Sequence, residues 1–327
     1  MEQARRRIIQ GLGAGLLSAG AGLSWAQEPW PSRPLRMVVP FPPGGLTDVL
    51  GRAIAERLSG ALGQPVVVEN KPGAGTLTGA ESVAKAPADG YTLLVSTSTT
   101  FGIAPALYKN PPIDPLRDFQ PVSLIGTVNF FLIANPSFPA NSVQDLIDVV
   151  RANPGKYNYA SVGNGSAHHL FMEDLKRRYG LQMQHIAYKG TGAALTDVLS
   201  GNVQAMFCDS TAAVPNIRAG KVKALGTTAA KQNALIPAVP PIGRTVEGFD
   251  WQAWQGVSVA AATPAPIVAR LSNEMQRFQQ TDEFRAFLAK IGMEPWPHMT
   301  PAEFAAHVRT EKERWAEAVR VSGAKID

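Results

Sequence analysis

Between Leu35 and Thr97, short apolar runs alternate with stretches of helical periodicity, and no other feature of the chain restricts its fold so strongly. The runs at 35–39, 66–69 and 92–96 are short and aliphatic, which predicts strands. Leu50, Ile54, Leu58 and Leu62 recur at helical spacing after the first run, so 48–62 is expected to be helical, as is 79–86. Strand, helix, strand, helix, strand in that order demands a parallel sheet with right-handed crossovers.

The alternation resumes downstream. Ser142, with Asp145 three positions later, opens a helix through Val150, and Pro154-Gly155 stops it. Strands are expected at 159–161, 184–187, 205–208 and 222–227, with helices at 167–179 and 193–199 between the first three. A proline-rich stretch, 105–121, and two extended runs, 122–125 and 130–134, separate the two units; between those runs the chain is expected to cross into another lobe. Residues 235–241 read as a return linker and 257–261 as the strand that rejoins the first lobe. The tail is helical over 266–279 and 282–291, and Thr300-Pro301-Ala302-Glu303 joins a capping box to a proline at the first helical position. That last helix reaches Val321, with Phe304, Val308, Trp315 and Val319 as its buried stripe. The expected organisation is α/β throughout, with a first lobe from 27–127 plus 251–327 and a second from 128–250.

Arg5, Arg6 and Arg7 precede an apolar, glycine-rich run from Ile8 to Leu23, and Ser24-Trp25-Ala26 follows. This is the layout of a cleaved export signal over 1–26, too glycine-rich and poorly flanked for a membrane anchor. The paired arginines followed by Arg7, Ile8 and Ile9 also suit a twin-arginine signal, which would carry the chain out already folded. Cleavage removes three positive charges and one negative, so the formal +5 becomes +3. With no basic run and no interleaved aromatics, nucleic acid is not an expected partner. The mild positive balance helps gather small acidic molecules, weakly and subject to screening by salt. Cys208 is the sole cysteine, which excludes an intrachain disulfide or a multi-cysteine metal cluster. It lies in an apolar run, 203–208, and reads as a buried inert thiol. The 301 residues beyond position 26 suffice for two domains with ample cores.

Val38 to Asp48 passes from a strand through a rigid Pro42-Pro43 turn and two glycines into a helix. A helix start carries unpaired N–H groups and the positive end of the dipole, which together receive a carboxylate. Gly44 and Gly45 leave the approach open, and Thr47 can cap the helix while offering its hydroxyl. A well-capped turn with no ligand at all would show the same pattern. Ser161-Val162-Gly163-Asn164-Gly165-Ser166 repeats the passage, so it too can present N–H groups and two hydroxyls to one ligand oxygen. His168 and His169 are adjacent, hence about 100° apart on a helix, which favours capping or packing over metal ligation. In the turn Tyr188-Lys189-Gly190-Thr191-Gly192, Lys189 is either an anion contact or a solvated surface group. Asp209 either accepts a ligand ammonium or caps the helix after it. The glycines at 73, 75 and 79 spell G-x-G-x-x-x-G beside Pro72, not the dinucleotide fingerprint, so no nicotinamide cofactor is expected. The chain has no G-x-S-x-G elbow, P-loop or H-E-x-x-H, and Cys208 lacks a histidine partner, so the expectation is a binding protein and not an enzyme.

Taken in order, a long series of segments resembles the Bug-type periplasmic solute receptors of tripartite tricarboxylate transporters. In the first half these are Pro31-Ser32-Arg33-Pro34, Val39 through Gly45 with Thr47-Asp48, Glu69-Asn70 with Pro72-Gly73-Ala74-Gly75, Asp89 through Leu94, and Asp118-Phe119 with Pro121-Val122. Further on they are Tyr159-Ala160-Ser161, Gly165 with His169-Leu170 and Glu173, Tyr188-Lys189-Gly190, Gly220-Lys221 and Thr300-Pro301. The similarity spans essentially the whole chain beyond the export signal. It implies a two-lobed type II periplasmic binding fold, each lobe a mainly parallel sheet flanked by helices, with the ligand cleft between. It implies also that two cleft loops hold a carboxylate through backbone N–H groups, hydroxyls and water, without an arginine clamp. Carried over, the binding set is Phe41, Pro43, Gly44, Gly45, Thr47 and Asp48 in one loop and Ser161, Gly163, Gly165, Ser166 and His169 in the other. Ser96, Thr97, Lys189 and Asp209 are the implied wall positions. Lys71, Thr76, Ser166 and Ala261 stand where the family usually has Arg, Gly, Thr and Pro, departures that bear on rim shape and ligand choice.

On this reading the chain is a monomeric, non-catalytic receptor of the periplasm, with no cofactor and no metal. It closes by hinge motion near Gly126 and near 249–254 on a small carboxylated solute and hands it to a membrane permease of the tripartite tricarboxylate type. Dicarboxylates, tricarboxylates, acidic amino acids and aromatic acids all fall within the implied class. Signalling is the alternative output, with the closed form presented to a sensor kinase. An exported hydrolase is a third, and it would lose ester or amide turnover on replacement of Ser161 or Ser166.

Overall fold

Two mixed sheets flanked by helices make up the computed structural model, which describes residues 30–322 and 324 apart from 230, 234 and 250. The export segment expected over 1–26 lies outside the described residues. In chain order the strands are β1 Leu35–Val39, β2 Val66–Asn70, β3 Thr92–Thr97, β4 Phe119–Val128, β5 Phe130–Ala134, β6 Tyr157–Ser161, β7 Met183–Ala187, β8 Ala205–Asp209, β9 Lys223–Thr227, β10 Ala253–Ala260 and β11 Met293–Pro295. The first sheet runs β11-β4-β10-β3-β1-β2 and the second β7-β6-β8-β5-β9. The α-helices are α1 Leu46–Leu62, α2 Leu77–Ala84, α3 Ala104–Leu107, α4 Pro115–Asp118, α5 Val143–Ala152, α6 Ala167–Tyr179, α7 Thr191–Ser200, α8 Ser210–Arg218, α9 Ala265–Gln279, α10 Asp282–Lys290 and α11 Pro301–Ser322.

Pairing is parallel for β1 with β2 and β3, and for β6 with β7 and β8. It is antiparallel for β10 with β3 and β4, for β11 with β4, and for β5 with β8 and β9. The sheets are therefore mixed: β1 to β4 share one direction in the first and β6 to β9 in the second, while β5, β10 and β11 run against them. The reason is topological: β5 and β10 arrive from the other lobe, so each enters its sheet at the edge where its neighbours end and must run against them.

Local chemistry accounts for the element ends. Gly45 caps α1 in an extended conformation, and Gly63 ends it in the left-handed region (φ 70°), its N–H bonding Ser59 O at 3.1 Å. Gly51 lets α1 lie against β1, since a Cβ there would come within 2.7 Å of Val39 Cγ2. Ser142 caps α5 by accepting from Asp145 N at 3.1 Å. At α11 the expected capping box is present: Glu303 N donates to Thr300 Oγ1 at 3.2 Å, and Thr300 N to Glu303 Oε2 at 2.8 Å. β4 covers 119–128, more than the expected 122–125, because an irregularity between Val257 and Ser258 accommodates Pro121, which has no N–H to donate.

Val38, Leu94, Phe101, Trp254 and Phe304 interlock in the first lobe, and Phe131, Ile133, Val198 and Met206 in the second. Each such side chain contributes about 2 kcal/mol on burial. Cys208 belongs to the second core, where burial pushes its thiol pKa up and leaves it inert. Phe304, Val308, Trp315 and Val319 are buried, as the stripe on α11 predicts. Trp315 also reaches the second lobe: its ring lies 6.1 Å from Phe171 and 5.0 Å from Trp251, and Trp251 Nε1 donates to Asp174 Oδ2 at 2.8 Å.

Candidate functional site

β1, β3 and β4 end at one edge of the first sheet, and β6, β8 and β9 end at one edge of the second. A single residue, Asn129, separates the end of β4 from the start of β5, so these two edges must adjoin. The crossing is pinned: Asn129 Nδ2 donates to Glu294 Oε1 at 3.0 Å, and Ser210 Oγ lies 3.1 Å from Asn129 O and 3.0 Å from Gly292 O. The lobes also touch further along the seam, where a Cβ added to Gly165 would overlap Leu107 Cδ1. Both glycine loops open onto this seam, because they follow β1 and β6.

In the first loop the helix begins one residue before Thr47, so the expected Thr47 cap is replaced by Gly45, which has no side chain to cap this end of α1. The first-turn N–H groups of Leu46, Thr47 and Asp48 thus lack intrahelical partners and point out of the helix start. Thr47 is buried, and its Oγ1 accepts from Gln255 Nε2 at 3.0 Å. Asp48, expected to face the ligand, turns back instead. It accepts from Gly44 N at 2.9 Å, Asn70 Nδ2 at 2.9 Å and Arg52 Nε at 3.1 Å. Burial works to raise the Asp48 pKa, but hydrogen bonds from Arg52, Gly44 and Asn70 outweigh it and hold the carboxyl below its ordinary value. Asn70 Nδ2 also reaches Phe41 O at 3.1 Å, so Asp48 and Asn70 together fix the turn. Phe41 is half-buried, while Pro43 and Gly44 are exposed, Gly44 with φ 83° and its N–H committed to Asp48.

The second loop is bound up in the same way. Ser161, expected to offer its hydroxyl, is fully buried; its Oγ accepts from Gly163 N at 3.1 Å and lies 2.6 Å from His185 Nε2. Ser166 caps α6, accepting from His169 N at 3.3 Å and donating to Gly163 O at 2.8 Å. Ser166 N bonds Gly163 O, and Gly165 N donates to His169 Nδ1 at 3.1 Å. The N–H groups of Gly163, Gly165 and Ser166 are therefore spent inside the loop, which corrects the expectation of bare glycine donors. The donors left to face the seam are those of Asn164 and of the first turn of α6, Ala167 and His168.

The expected wall positions divide. Ser96 is fully buried, with its Oγ 2.9 Å from Ser258 Oγ, and Thr97 Oγ1 accepts from Thr100 N at 3.2 Å, so neither hydroxyl is presented to the seam. Lys189 is exposed beyond β7. Asp209 caps α8: it accepts from Ala212 N at 3.4 Å, from Thr191 Oγ1 at 3.0 Å and from Thr211 Oγ1. Burial opposes its ionisation, but the nearby His168 ring and the Thr211 and Thr191 hydroxyls prevail and hold its pKa low. Sequence reasoning missed Asn70, Gln255 and His185, whose contacts with loop residues span 22, 208 and 24 positions.

Behind the second loop, His169, His185 and Tyr159 form a stack, with ring centroids 4.0 Å apart for the two histidines and 4.9 Å for Tyr159 with His185. Tyr159 Oη donates to Glu173, which also accepts from Lys176 Nζ at 2.6 Å. Burial lowers the His169 pKa, and burial followed by the adjoining His169 lowers that of His185 to about 4. Burial and the Glu173 carboxylate push the Tyr159 phenol far up. Both imidazoles are therefore neutral at ordinary pH.

Among the described residues, no group of three or more His, Cys, Asp or Glu side chains is placed to hold a metal ion, and no helix is long and apolar enough to cross a membrane. Surface hollows of about 240 and 320 Å³ beside α9 share His298 and are lined by none of the loop residues.

A family model described as the tripartite tricarboxylate transporter family receptor matches residues 50–323. Protein BugT of Bordetella pertussis is 35% identical over 322 residues, covering 98% of each chain. Among solved structures, Rpa4515 of R. palustris with adipate aligns with a TM-score of 0.86 at 34% identity, covering 91% of this chain and 100% of that one. MatC of Rhodopseudomonas palustris with bound malate aligns at 0.81, also at 34% identity, covering 89% and 100%.

Proposed function

Because the chain belongs to the tripartite tricarboxylate transporter receptor family, we propose that it captures a small carboxylated solute in the periplasm and delivers it to a membrane permease of that type. One observation carries the reading. Two helices, α1 and α6, start at the same seam with first-turn N–H groups that no helical carbonyl satisfies, and both dipoles present their positive ends there. A carboxylate seated between them would accept from Leu46 and Thr47 on one side and from Ala167 and His168 on the other. Its negative charge would gain from both dipoles in a site shielded from water.

Capture would proceed by hinge closure, with 27–127 plus 251–327 as one lobe and 128–250 as the other. Gly126, the expected first hinge, is paired within β4, so Asn129 and the segment leading into β10 serve as the hinges. A ligand bonded to both helix starts binds the closed form better than the open one, and that difference drives closure. Adipate and malate, bound in the two related structures, make linear dicarboxylates the first candidates.

Native mass spectrometry of freshly purified protein, followed by a thermal-shift panel of adipate, malate, citrate, glutamate and benzoate, tests this. An acid present at one hundred times its Kd adds about 2.7 kcal/mol to the native state, a plain rise in Tm. A flat response to every acid, with none co-purified, would refute the reading.

A further inference from the structure

We propose that His169 is a positioning residue for the second loop: its unprotonated Nδ1 holds the Gly165 N–H, and protonation of the ring releases the loop and weakens ligand capture. The inference rests on the reading that this loop and the start of α6 grip the ligand.

The hydrogen-bond pattern fixes the proton. A backbone N–H can only donate, so the 3.1 Å contact from Gly165 N requires a lone pair on Nδ1, and the ring proton sits on Nε2. Nε2 in turn lies 3.9 Å from Glu173 Oε1. The residue is thus tied to the loop twice, through its ring to Gly165 and through its own N–H to Ser166 Oγ. Gly165 holds a left-handed φ of 72° and packs on Leu107 of the first lobe, so its position decides how the lobes meet. A protonated ring carries N–H on both nitrogens, and two donors then face each other across that contact. Stacking on His185, with centroids 4.0 Å apart, covers one face of the ring.

The surroundings set how firmly the neutral form is held. On its own helix His169 faces Glu173, which favours the proton, and Lys176, which opposes it. From β6 it faces Tyr159, and from β7 His185, itself 2.6 Å from Ser161 Oγ. Burial opposes the charged form and leads, so the ring stays neutral until the solution is acid. Ser161, which lies against His185 and not His169, accepts from Gly163 N and ties the other glycine of the loop to the same stack of rings.

Three full-length proteins separate this role from mere packing: wild type, H169L and H169N. In H169N the amide oxygen takes the place of Nδ1 and accepts from Gly165 at every pH. Calorimetric titration with adipate and with malate at pH 7.5 and 4.5 should show H169L about tenfold weaker at pH 7.5, with H169N restoring most of the loss. Wild type should then weaken more than H169N as the ring titrates, approaching the tenfold loss of H169L once it is protonated, the ligand's own titration being common to both. Equal acid sensitivity of wild type and H169N, or undiminished binding by H169L, would overturn the proposal. Ring nitrogen NMR of the ligand-free protein gives a reading that needs no ligand. It should show the Nε2–H tautomer at pH 7.5, with exchange of the Gly165 amide accelerating as the ring titrates, and an Nδ1–H tautomer would also overturn it. If the NMR behaves as expected while no acid binds, the receptor reading fails and the positioning role stands.

Discussion

Replacing Gly165 with alanine adds one methyl group at a point where the lobes touch. Two costs follow, and they separate. The left-handed φ of 72° costs an L-residue about 1–2 kcal/mol wherever the lobes are, so it appears as lost stability. The second cost exists only when the lobes meet, because the new Cβ would overlap Leu107 Cδ1 and lie 3.1 Å from Leu107 Cγ. Relief requires an off-rotamer Leu107, about 1 kcal/mol, or a wider seam. The expected result is adipate or malate binding weakened about tenfold, equivalent to about 1.4 kcal/mol, beyond whatever chemical denaturation shows for stability. Removing the obstacle tests the cause. In a double-mutant cycle with Leu107→Ala, the alanine at 165 should become nearly harmless to binding, giving a coupling of about 1 kcal/mol by calorimetry. Affinity changes that add to within about 0.5 kcal/mol would refute the claim that this contact belongs to the ligand-competent arrangement.

Asp48→Ala removes the acceptor shared by Gly44, Asn70 and Arg52, and should cost roughly 1–3 kcal/mol in urea denaturation and weaken dicarboxylate binding with it. His185, pushed down to about 4, binds fewer protons folded than unfolded between pH 4 and 6.5, so its contribution is intact above 6.5 and lost as pH falls through 4. At about 1.4 kcal/mol per unit the ceiling is about 3.5 kcal/mol, reduced to about 1–2 by partial exposure, and His185→Asn should flatten this limb of the stability profile. Cys208 should resist thiol reagents in the native protein and react only on unfolding, and rapid native labelling would contradict its burial. Trp251→Phe removes the donor to Asp174 and should loosen the link between the lobes, read as faster amide exchange in α6 with little change in the core of the first sheet.

Legibility in the sequence followed the range of the forces involved. β1 and β5, and the helix from Ala167 to Tyr179, match the expected bounds residue for residue: prolines flank β1, asparagines flank β5, and a serine cap and a glycine stop bound the helix. The turn from Thr99 to Ile103 and the helix Ala104–Leu107 were hidden in a stretch that begins Thr-Thr-Phe-Gly, where apolar residues have no polar face to set a period. β11 went unseen because it is a short edge strand that ends in proline. At the seam the glycine turns were readable, and so was the histidine of the second loop. Which polar atoms remained open was not. That depends on partners brought together by the fold: Ser258 for Ser96 across 162 positions, and Gln255 for Thr47 across 208.

The two loops solve one physical problem with different groups. A turn that must present N–H donors to a ligand cannot use them to stabilise itself, and glycine adds conformational freedom that would blur their aim. Rigidity therefore has to come from behind. In the first loop it comes from a carboxylate, Asp48, that stays ionised and acceptor-only across the physiological range. In the second it comes from an imidazole, His169, that accepts only while unprotonated. The asymmetry has a consequence for acid conditions. As pH falls, the half of the grip built on α1 should hold its shape while the half built on α6 loosens first. Amide exchange at Gly44 and Gly165, followed together through the same titration, should therefore part company before the protein unfolds, and simultaneous loss of both would mean that global unfolding, and not the imidazole, governs the site.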